Sequence, residues 1–209
     1  TELSHLIRRL IGANIELRIS HGQDIGLIKA DQGQLEQVLI NLAVNARDAM
    51  KEGGGGQLSI HTFSHINDTA QKLGAGDEIL PPGTWTAIEV ADTGTGIPPD
   101  VLPRIFEPFF STKEVGAGTG LGLSTVHGIV HQTGGFIGVE TKIGGGTHFT
   151  VYLPRHTESQ KDGKIETPEE KYASADLTGT AHILLVEDED AVRTFSSRAL
   201  ANKGYRVLE

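Results

Sequence analysis

The sequence predicts an α/β protein, and three segments carry this prediction. Residues 31–51, DQGQLEQVLINLAVNARDAMK, have the composition of a long helix, while residues 85–91, WTAIEVA, alternate as a strand does. Residues 116–124, GAGTGLGLS, form a glycine-rich loop that opens a second helix. With 209 residues, 37% of them hydrophobic and 22% charged, the chain is typical of soluble globular proteins and long enough for one core plus part of another.

The composition also excludes several function classes. A formal net charge of −9 argues against a nucleic-acid partner, whose phosphates require clustered Lys and Arg. Cysteine is absent, which excludes disulfides and thiolate metal sites and suits a cytoplasmic protein. No apolar run approaches the roughly 18 residues of a membrane span and no signal peptide opens the chain, so we expect no membrane contact in this segment.

A change of composition divides the chain. Residues 156–180 hold almost no apolar side chains and are typical of a solvated linker. The sequence therefore predicts a domain over residues 1–155, a flexible linker over 156–180 and a fragment over 181–209. That fragment is too short to bury a core of its own, so it is a docked appendage, a disordered end or the start of a further domain.

The helix predicted over residues 31–51 begins at Asp31, a favoured N-cap residue, and ends before the glycines at 53–56. Its polar residues fall within an arc of about 80°, with apolar residues on both sides. Buried amides require partners, so Asn41 and Asn45 bond either to neighbouring backbone or to a ligand. Two Asn one turn apart could offer oxygens to Mg²⁺. The residues of this polar stripe are Gln34, Gln37, Asn41, Asn45 and Asp48.

The predicted strand runs directly into Asp92, followed by glycines at 94 and 96 that force a turn. A carboxylate at a strand end could accept a hydrogen bond from the exocyclic amine of a purine. Taken singly, however, Asp followed by Gly two residues later favours an Asx turn, in which Asp92 bonds its own backbone.

Residues 105–114, IFEPFFSTKE, hold three of the seven Phe of the chain. Phe106, Phe109 and Phe110 are either a core plug or the anchor of a movable lid. Lys113, next to Thr112, is the cation closest in sequence to the glycine loop, and it could contact a phosphate or simply be a solvated surface lysine.

The glycine loop fits neither common nucleotide motif. A P-loop needs a Lys beside its last Gly, and a dinucleotide fingerprint needs a third Gly where Leu121 and Leu123 stand. Two interpretations remain: a backbone phosphate site at the positive end of a helix, or a plain flexible turn. The glycines of the loop are Gly116, Gly118, Gly120 and Gly122.

His127 and His131 lie four residues apart on the helix that follows, a spacing that could bind a metal. No third ligand is apparent in the sequence, and Gly128 breaks the HExxH pattern. We therefore expect two unrelated histidines on a helix face.

Taken in order, four motifs resemble the N, G1, F and G2 boxes of the ATP-binding catalytic domain of sensor histidine kinases. That domain shares its fold with Hsp90-type chaperones, type II topoisomerases and mismatch-repair ATPases. The resemblance covers about residues 1–155, and residues 144–154 resemble the closing strand. The motifs are Gln37-x3-Asn41-x3-Asn45-Ala46, Asp92-x-Gly94-x-Gly96, Phe106-x2-Phe109-Phe110 and Gly118-x-Gly120-Leu121-Gly122-Leu123.

The resemblance implies an α/β (α+β) two-layer sandwich of the Bergerat type, in which a mixed β-sheet packs on helices beside a mobile ATP lid. It assigns Asp92 to the adenine amino group with Thr147 nearby through water, and Asn41, Asn45 and Lys113 to catalysis. Asn41 and Asn45 would face Mg²⁺. The nucleotide-binding residues implied are Asn45, Asp48, Asp92, Gly94, Gly96, Ile97, Phe106, Phe110, Thr112, Lys113, Gly118, Thr119, Gly120, Leu121, Gly122, Leu123 and Thr147.

The function that the resemblance implies is donation of the γ-phosphate of Mg-ATP to a histidine. Related ATPases carry a glutamate base where Asn41 stands, and an amide cannot take that proton, which favours phosphoryl transfer over hydrolysis. His5 lies too near Asn41 to be the acceptor, so we expect the acceptor on a hairpin outside this chain. The alternatives are a non-catalytic nucleotide-binding regulatory module and an Hsp90-like or MutL-like ATPase.

Residues 181–209 resemble the first strand, helix and second strand of a response-regulator receiver domain. Glu187 and Asp188 would be its Mg²⁺-binding acidic pair, although an acidic helix N-terminus explains them equally. A kinase domain with a receiver indicates a hybrid histidine kinase of the cell-cycle type.

This class implies several partners: its own receiver, a downstream phosphotransfer protein or response regulator, and cyclic di-GMP near Phe136 and residues 127–131. It also implies a cytoplasmic location for this segment, with the full-length protein anchored in the inner membrane.

Overall fold

The chain divides into two compact units, Thr1–Ser159 and Gln160–Glu209, which are described separately. In this computed structural model the described residues are 2–51, 53–74, 78–113, 119–156, 180–186 and 190–208. Within those ranges no helix combines the length and apolar character that a membrane span requires.

Among its described residues, the first unit contains three α-helices, a 3₁₀-helix (Leu102–Arg104) and a five-stranded sheet of order β1-β2-β5-β7-β6, with a separate two-stranded hairpin β3-β4. Strand β1 pairs in parallel with β2, and all other neighbours in the large sheet are antiparallel, so the sheet is mixed, as predicted. The elements are α1 (Glu2–Ile11), β1 (Ile15–His21), α2 (Gln32–Met50), β2 (Gly56–Asn67), β3 (Gln71–Lys72), β4 (Ile79–Leu80), β5 (Gly83–Asp92), α3 (Gly122–Gln132), β6 (Phe136–Lys142) and β7 (Gly146–Pro154).

Helix α2 confirms the helix predicted over residues 31–51. The Asp31 side chain accepts a hydrogen bond of 2.8 Å from the backbone N–H of Gln34, as an N-cap does, and the helix ends at Met50 before the glycines. Its apolar side chains recur at helical spacing and are buried, which shows that this face of the helix packs into the core against the sheet. The buried residues of α2 are Val38, Leu42, Ala43, Ala46 and Met50.

The two faces of the sheet carry different layers. The three helices cover one face and form the main core, which confirms the predicted sandwich of a mixed sheet on helices. Side chains alternate along a strand, so Trp85 and Ala87 of β5 point to the other face, where they meet Leu73 and Leu80 of the β3-β4 hairpin. This second cluster is small, and it holds the hairpin against the sheet.

The second unit has a strand, a helix and a strand: β8 (His182–Leu184), α4 (Asp190–Asn202) and β9 (Arg206–Leu208), with β8 and β9 parallel. This matches the order of strand, helix and strand expected for the tail. Glu187 and Asp188 lie outside the described residues.

The packing of α2 on the sheet leads to a prediction for Leu42, whose side chain is only 1% exposed. The substitution Leu42→Ala should lower the free energy of unfolding by about 2–5 kcal/mol, since it removes buried methyl groups and leaves a cavity. Leu27 is 65% exposed, and Leu27→Ala is the control, with an expected change within about 0.5 kcal/mol. Urea denaturation of both variants checks this, and equal losses would contradict the packing described.

Candidate functional site

Asp92 is a buried carboxylate at the end of β5, only 6% exposed. Its Oδ1 accepts a hydrogen bond of 2.8 Å from the backbone N–H of Gly94, so the Asx turn exists. Burial raises the pKa of Asp92, and the backbone amides of Gly94 and Thr147 oppose this only in part. A carboxylate has about four acceptor positions, so the turn leaves acceptor capacity for a ligand.

A small hydroxyl network stands beside this carboxylate. Thr147 of β7 is the strand partner of Asp92, and its Oγ1 lies 3.1 Å from Oγ1 of Thr141 on β6. The Thr141 hydroxyl also accepts a hydrogen bond of 2.9 Å from the backbone N–H of Ile97. The turn after β5 is thereby attached to the far edge of the sheet.

The glycines after Asp92 are required by close backbone approach. A Cβ at Gly94 would lie 2.8 Å from the backbone of Ala49 in α2, and one at Gly96, whose φ is +74°, would lie 2.2 Å from the carbonyl oxygen of Lys142. The backbone N–H of Thr95 donates a hydrogen bond of 3.1 Å to the carbonyl of Ala49. The turn that follows Asp92 therefore lies directly against α2 at Ala49, one helical turn beyond Asn45.

The two asparagines of that stripe differ in their contacts. Asn41 is satisfied at both ends: its Oδ1 accepts from Nε2 of Gln37 at 3.1 Å, and its Nδ2 donates to the carbonyl of Gly122 at 3.2 Å. It thus joins α2 to the first residue of α3. The Nδ2 of Asn45 is buried and has no hydrogen-bond partner among the described residues. A buried, unsatisfied donor indicates a place where a ligand can bind.

Asp48, the last residue of the polar stripe, forms ion pairs with two positively charged side chains. Its Oδ2 lies 2.5 Å from Nζ of Lys113, and its Oδ1 lies 2.7 Å from Nη2 of Arg47. Burial raises the pKa of Asp48, but the hydrogen bonds from Lys113 and Arg47 outweigh it, so the pKa is lowered. Lys113 is thus an exposed lysine whose ammonium group pairs with Asp48 of α2.

The side chains of residues 105–113, here called the phenylalanine segment, are divided between the core and solvent. Phe106 packs on the main core with its ring centroid 5.0 Å from that of His127, whereas Phe109 is 76% exposed. The Arg104 guanidinium covers the ring of Phe110 at 4.3 Å. Only Phe106 serves as a core plug.

The end of the glycine loop meets this segment. The backbone N–H of Phe109 donates a hydrogen bond of 2.9 Å to the carbonyl of Gly120, whose φ is +65°. Thr119 accepts a bond of 3.3 Å from the backbone N–H of Leu121, Leu123 packs on the core and Thr112 is exposed. Gly116 and Gly118 lie outside the described residues.

Sequence reasoning missed Arg47 and Thr141. Arg47 precedes Asp48 on the same helix, so its charge beside the stripe was visible in the sequence. Thr141 gave no such signal, because its place beside Thr147 follows from the register of β6 on β7.

The expectation of two unrelated histidines on α3 is wrong. The Nε2 atoms of His127 and His131 lie 3.1 Å apart, and both contact Oε1 of Glu78, at 3.0 and 2.7 Å. Glu78 is close only in space, so the sequence alone did not reveal it.

The difference between the asparagines leads to a paired prediction. Asn41→Ala should lower the free energy of unfolding by about 1–3 kcal/mol, because it removes the hydrogen bonds to Gln37 and to the Gly122 carbonyl. Asn45→Ala should leave the free energy of unfolding unchanged or raise it by up to about 1–3 kcal/mol, because it loses no bond to Nδ2 and removes a buried, unpaired donor. Denaturant titration checks the pair, and a larger loss for Asn45→Ala would contradict the contacts described.

A second prediction concerns the pKa of Asp48. In Lys113→Met, burial still raises this pKa while one of the two opposing cations is gone, so the pKa should rise relative to the wild type. NMR titration of the Asp48 carboxyl carbon measures it. Lys142→Met, at an exposed lysine, is the control and should leave the value unchanged; no rise in Lys113→Met would show that the ion pair does not persist in solution.

The geometry agrees with what comparison with known proteins finds. Residues 30–157 match the family model described as histidine kinase-, DNA gyrase B-, and HSP90-like ATPase. The chain is 54% identical over its whole length to sensor kinase CckA of Brucella abortus (strain 2308), of which it spans 22%. It is 41% identical over 67% of its length to sensor histidine kinase ZraS of Escherichia coli (strain K12), of which it spans 26%.

Solved structures support the same relationship. The catalytic domain of histidine kinase ThkA, in a nucleotide-free form, is 30% identical with a TM-score of 0.52, over 74% of this chain and 87% of that one. Full-length ShkA in complex with AMPPNP is 26% identical with a TM-score of 0.54, over 99% of this chain and 37% of that one. The chain therefore belongs to the family of histidine kinase-, DNA gyrase B- and HSP90-like ATPases.

Proposed function

We propose that this domain binds Mg-ATP and donates its γ-phosphate to a histidine on a dimerisation and phosphotransfer hairpin. The observation that carries the proposal is the unpartnered, buried amide of Asn45, one helical turn from the Ala49 contact that holds the Asp92 turn. One wall thus offers an acceptor for a base, and the other offers a free N–H donor for a phosphate oxygen.

Asp92 has the chemistry to select adenine. Its buried carboxylate accepts hydrogen bonds from N–H donors, and the exocyclic amine of adenine is such a donor. The hydroxyl of Thr147 stands beside it as a second polar group, close enough in the sheet to share a water with the base.

The amide oxygen of Asn45 fits Mg²⁺, which binds through few hard oxygen ligands together with phosphate. Asn45 suits this role better than Asn41, because both ends of the Asn41 amide already have partners. When bound, Mg²⁺ neutralises phosphate charge. Lys113, held at Asp48, supplies a positive charge on the same side of α2.

Phosphoryl transfer is favoured over hydrolysis because the side chain at position 41 is an amide. An amide cannot accept the proton of an attacking water, and Asn41 instead joins α2 to the start of α3. An Hsp90-like or MutL-like ATPase is therefore the weaker alternative. A non-catalytic nucleotide-binding regulatory module is the other alternative.

We further propose a hybrid relay, with domains over 1–155 and 181–209 and a linker over 156–180. The parallel β8-α4-β9 unit is compatible with the start of a receiver, whose acidic pair would be Glu187 and Asp188. The partners would be the kinase's own hairpin and receiver, then a downstream phosphotransfer protein or response regulator, in the cytoplasm beside an inner-membrane anchor.

Cyclic di-GMP near Phe136 stays a prediction. The contacts of both α3 histidines with Glu78 give it no support.

The role of Asp92 leads to a prediction for binding. Asp92→Asn should weaken binding of Mg²⁺ and a non-hydrolysable ATP analogue at least tenfold in isothermal titration, because a charge-assisted acceptor is lost. Since burial raises the pKa of Asp92, wild-type affinity should fall as pH drops through that raised pKa, at a higher pH than an ordinary Asp would give. The pH dependence should be absent in Asp92→Asn and unchanged in Asp100→Asn, an exposed control.

Radiolabelled ATP then separates the candidate functions. Label on the histidine of a separately supplied acceptor hairpin supports the kinase. Steady hydrolysis without acceptor would support an ATPase, and binding with neither reaction would support a regulatory module. If the wild type bound no nucleotide, all three would fail.

A further inference from the structure

A cluster of three metal-ligand side chains lies outside the nucleotide site. His127 and His131 stand one turn apart on α3, and Glu78 comes immediately before β4. One ligand atom of each residue lies within 4.8 Å of the other two. Two of the three side chains come from α3 and the third from the residue before β4. Two histidines on one helix surface would not by themselves form such a three-residue cluster.

The contacts at this point are crowded for hydrogen bonds alone. Both Nε2 atoms contact the same carboxylate oxygen of Glu78, at 3.0 and 2.7 Å, while lying 3.1 Å from each other. Two imidazole N–H groups directed at one oxygen bring their protons together. A single metal cation in place of those protons could be coordinated by both Nε2 atoms and by the carboxylate oxygen at once.

We propose that Glu78, His127 and His131 form a binding site for a divalent transition metal, with Zn²⁺ as the best fit. Two imidazoles and one carboxylate with a water in the fourth position are a common Zn²⁺ ligand set. Zn–N and Zn–O distances near 2.0–2.2 Å place tetrahedral ligands about 3.3 Å apart. The present spacings of 2.7–3.1 Å require shifts of only a few tenths of an ångström.

Burial and outer contacts suit such a site. The side chains of Glu78, His127 and His131 are 20%, 38% and 41% exposed, so a metal can enter from solvent and keep a water. The second oxygen of Glu78 accepts a hydrogen bond of 2.9 Å from the backbone N–H of Ile137, which fixes the carboxylate as outer-sphere partners of metal ligands do.

The bound metal would connect α3 to the β3-β4 hairpin. The ring of His127 also lies 5.0 Å from that of Phe106, so coordination would fix a side chain that contacts the phenylalanine segment. The pair of His148 and Glu89, 3.7 Å apart, has no such third ligand in the described part of the chain. The proposal does not depend on nucleotide binding.

The test is a Zn²⁺ titration of the whole chain in competition with a chromogenic chelator. The wild type should bind one equivalent, and both His131→Gln and Glu78→Gln should weaken binding at least about tenfold. His21→Gln is the matched control, because His21 is an exposed histidine whose ring contacts the Thr62 hydroxyl, and this variant should bind like the wild type. Glu78→Gln keeps an oxygen for the Ile137 N–H, so folding should survive.

Two further measurements make the result decisive. Co²⁺ should give the visible absorption of a tetrahedral site in the wild type and lose it in both ligand variants. Zn²⁺ should raise the thermal midpoint of the wild type alone, because a ligand that binds only the folded state stabilises it. No stoichiometric Zn²⁺ binding, or equal affinity in wild type and both ligand variants, would overturn the proposal and leave a hydrogen-bonded cluster.

Discussion

The contact between the turn after β5 and helix α2 is the constraint on which the site depends. A side chain at position 94 would meet the backbone of Ala49 at 2.8 Å, so only glycine permits this approach. The hydrogen bond from Thr95 to the Ala49 carbonyl then fixes the distance. This contact joins the turn that follows the Asp92 carboxylate to the helix that carries the amide stripe.

Helix α2 therefore serves two purposes at once. Its apolar residues secure it to the sheet, while its polar stripe contacts α3 through Asn41 and Lys113 through Asp48. Within that stripe the contacts are uneven: Asn41 and Asp48 are engaged by protein groups, and the amide nitrogen of Asn45 is not. Leaving a buried donor unpaired costs about 1–3 kcal/mol, which a ligand that supplies an acceptor would recover.

Local rules predicted the elements of the site well. The N-cap at Asp31, the helix that follows, the alternating strand that ends at Asp92 and the helix that begins at Gly122 all depend on short-range chemistry. Such signals involve residues only a few positions apart, so these elements can be predicted from the sequence alone.

What the sequence could not reveal depends on tertiary distance. Asn41 and Asn45 look equivalent on a helical wheel, and only the position of the Gly122 carbonyl distinguishes them. Lys113 was placed near the glycine loop by sequence, but its ammonium group contacts Asp48. Glu78 joins the two α3 histidines from 49 residues away in the chain, a proximity that follows from the hairpin packing on the sheet.

The central claim, that the Asp92 turn and the Asn45 face of α2 form one ligand site, is tested most directly by NMR with Mg²⁺ and a non-hydrolysable ATP analogue. The side-chain NH₂ signals of Asn45 and the backbone amide of Gly94 should shift along one common saturation curve. The side-chain NH₂ signals of Asn67, which donates to the backbone carbonyls of Thr69, Leu80 and Pro81, should not. Shifts confined to one of the two elements, or curves with different midpoints, would contradict a single shared site.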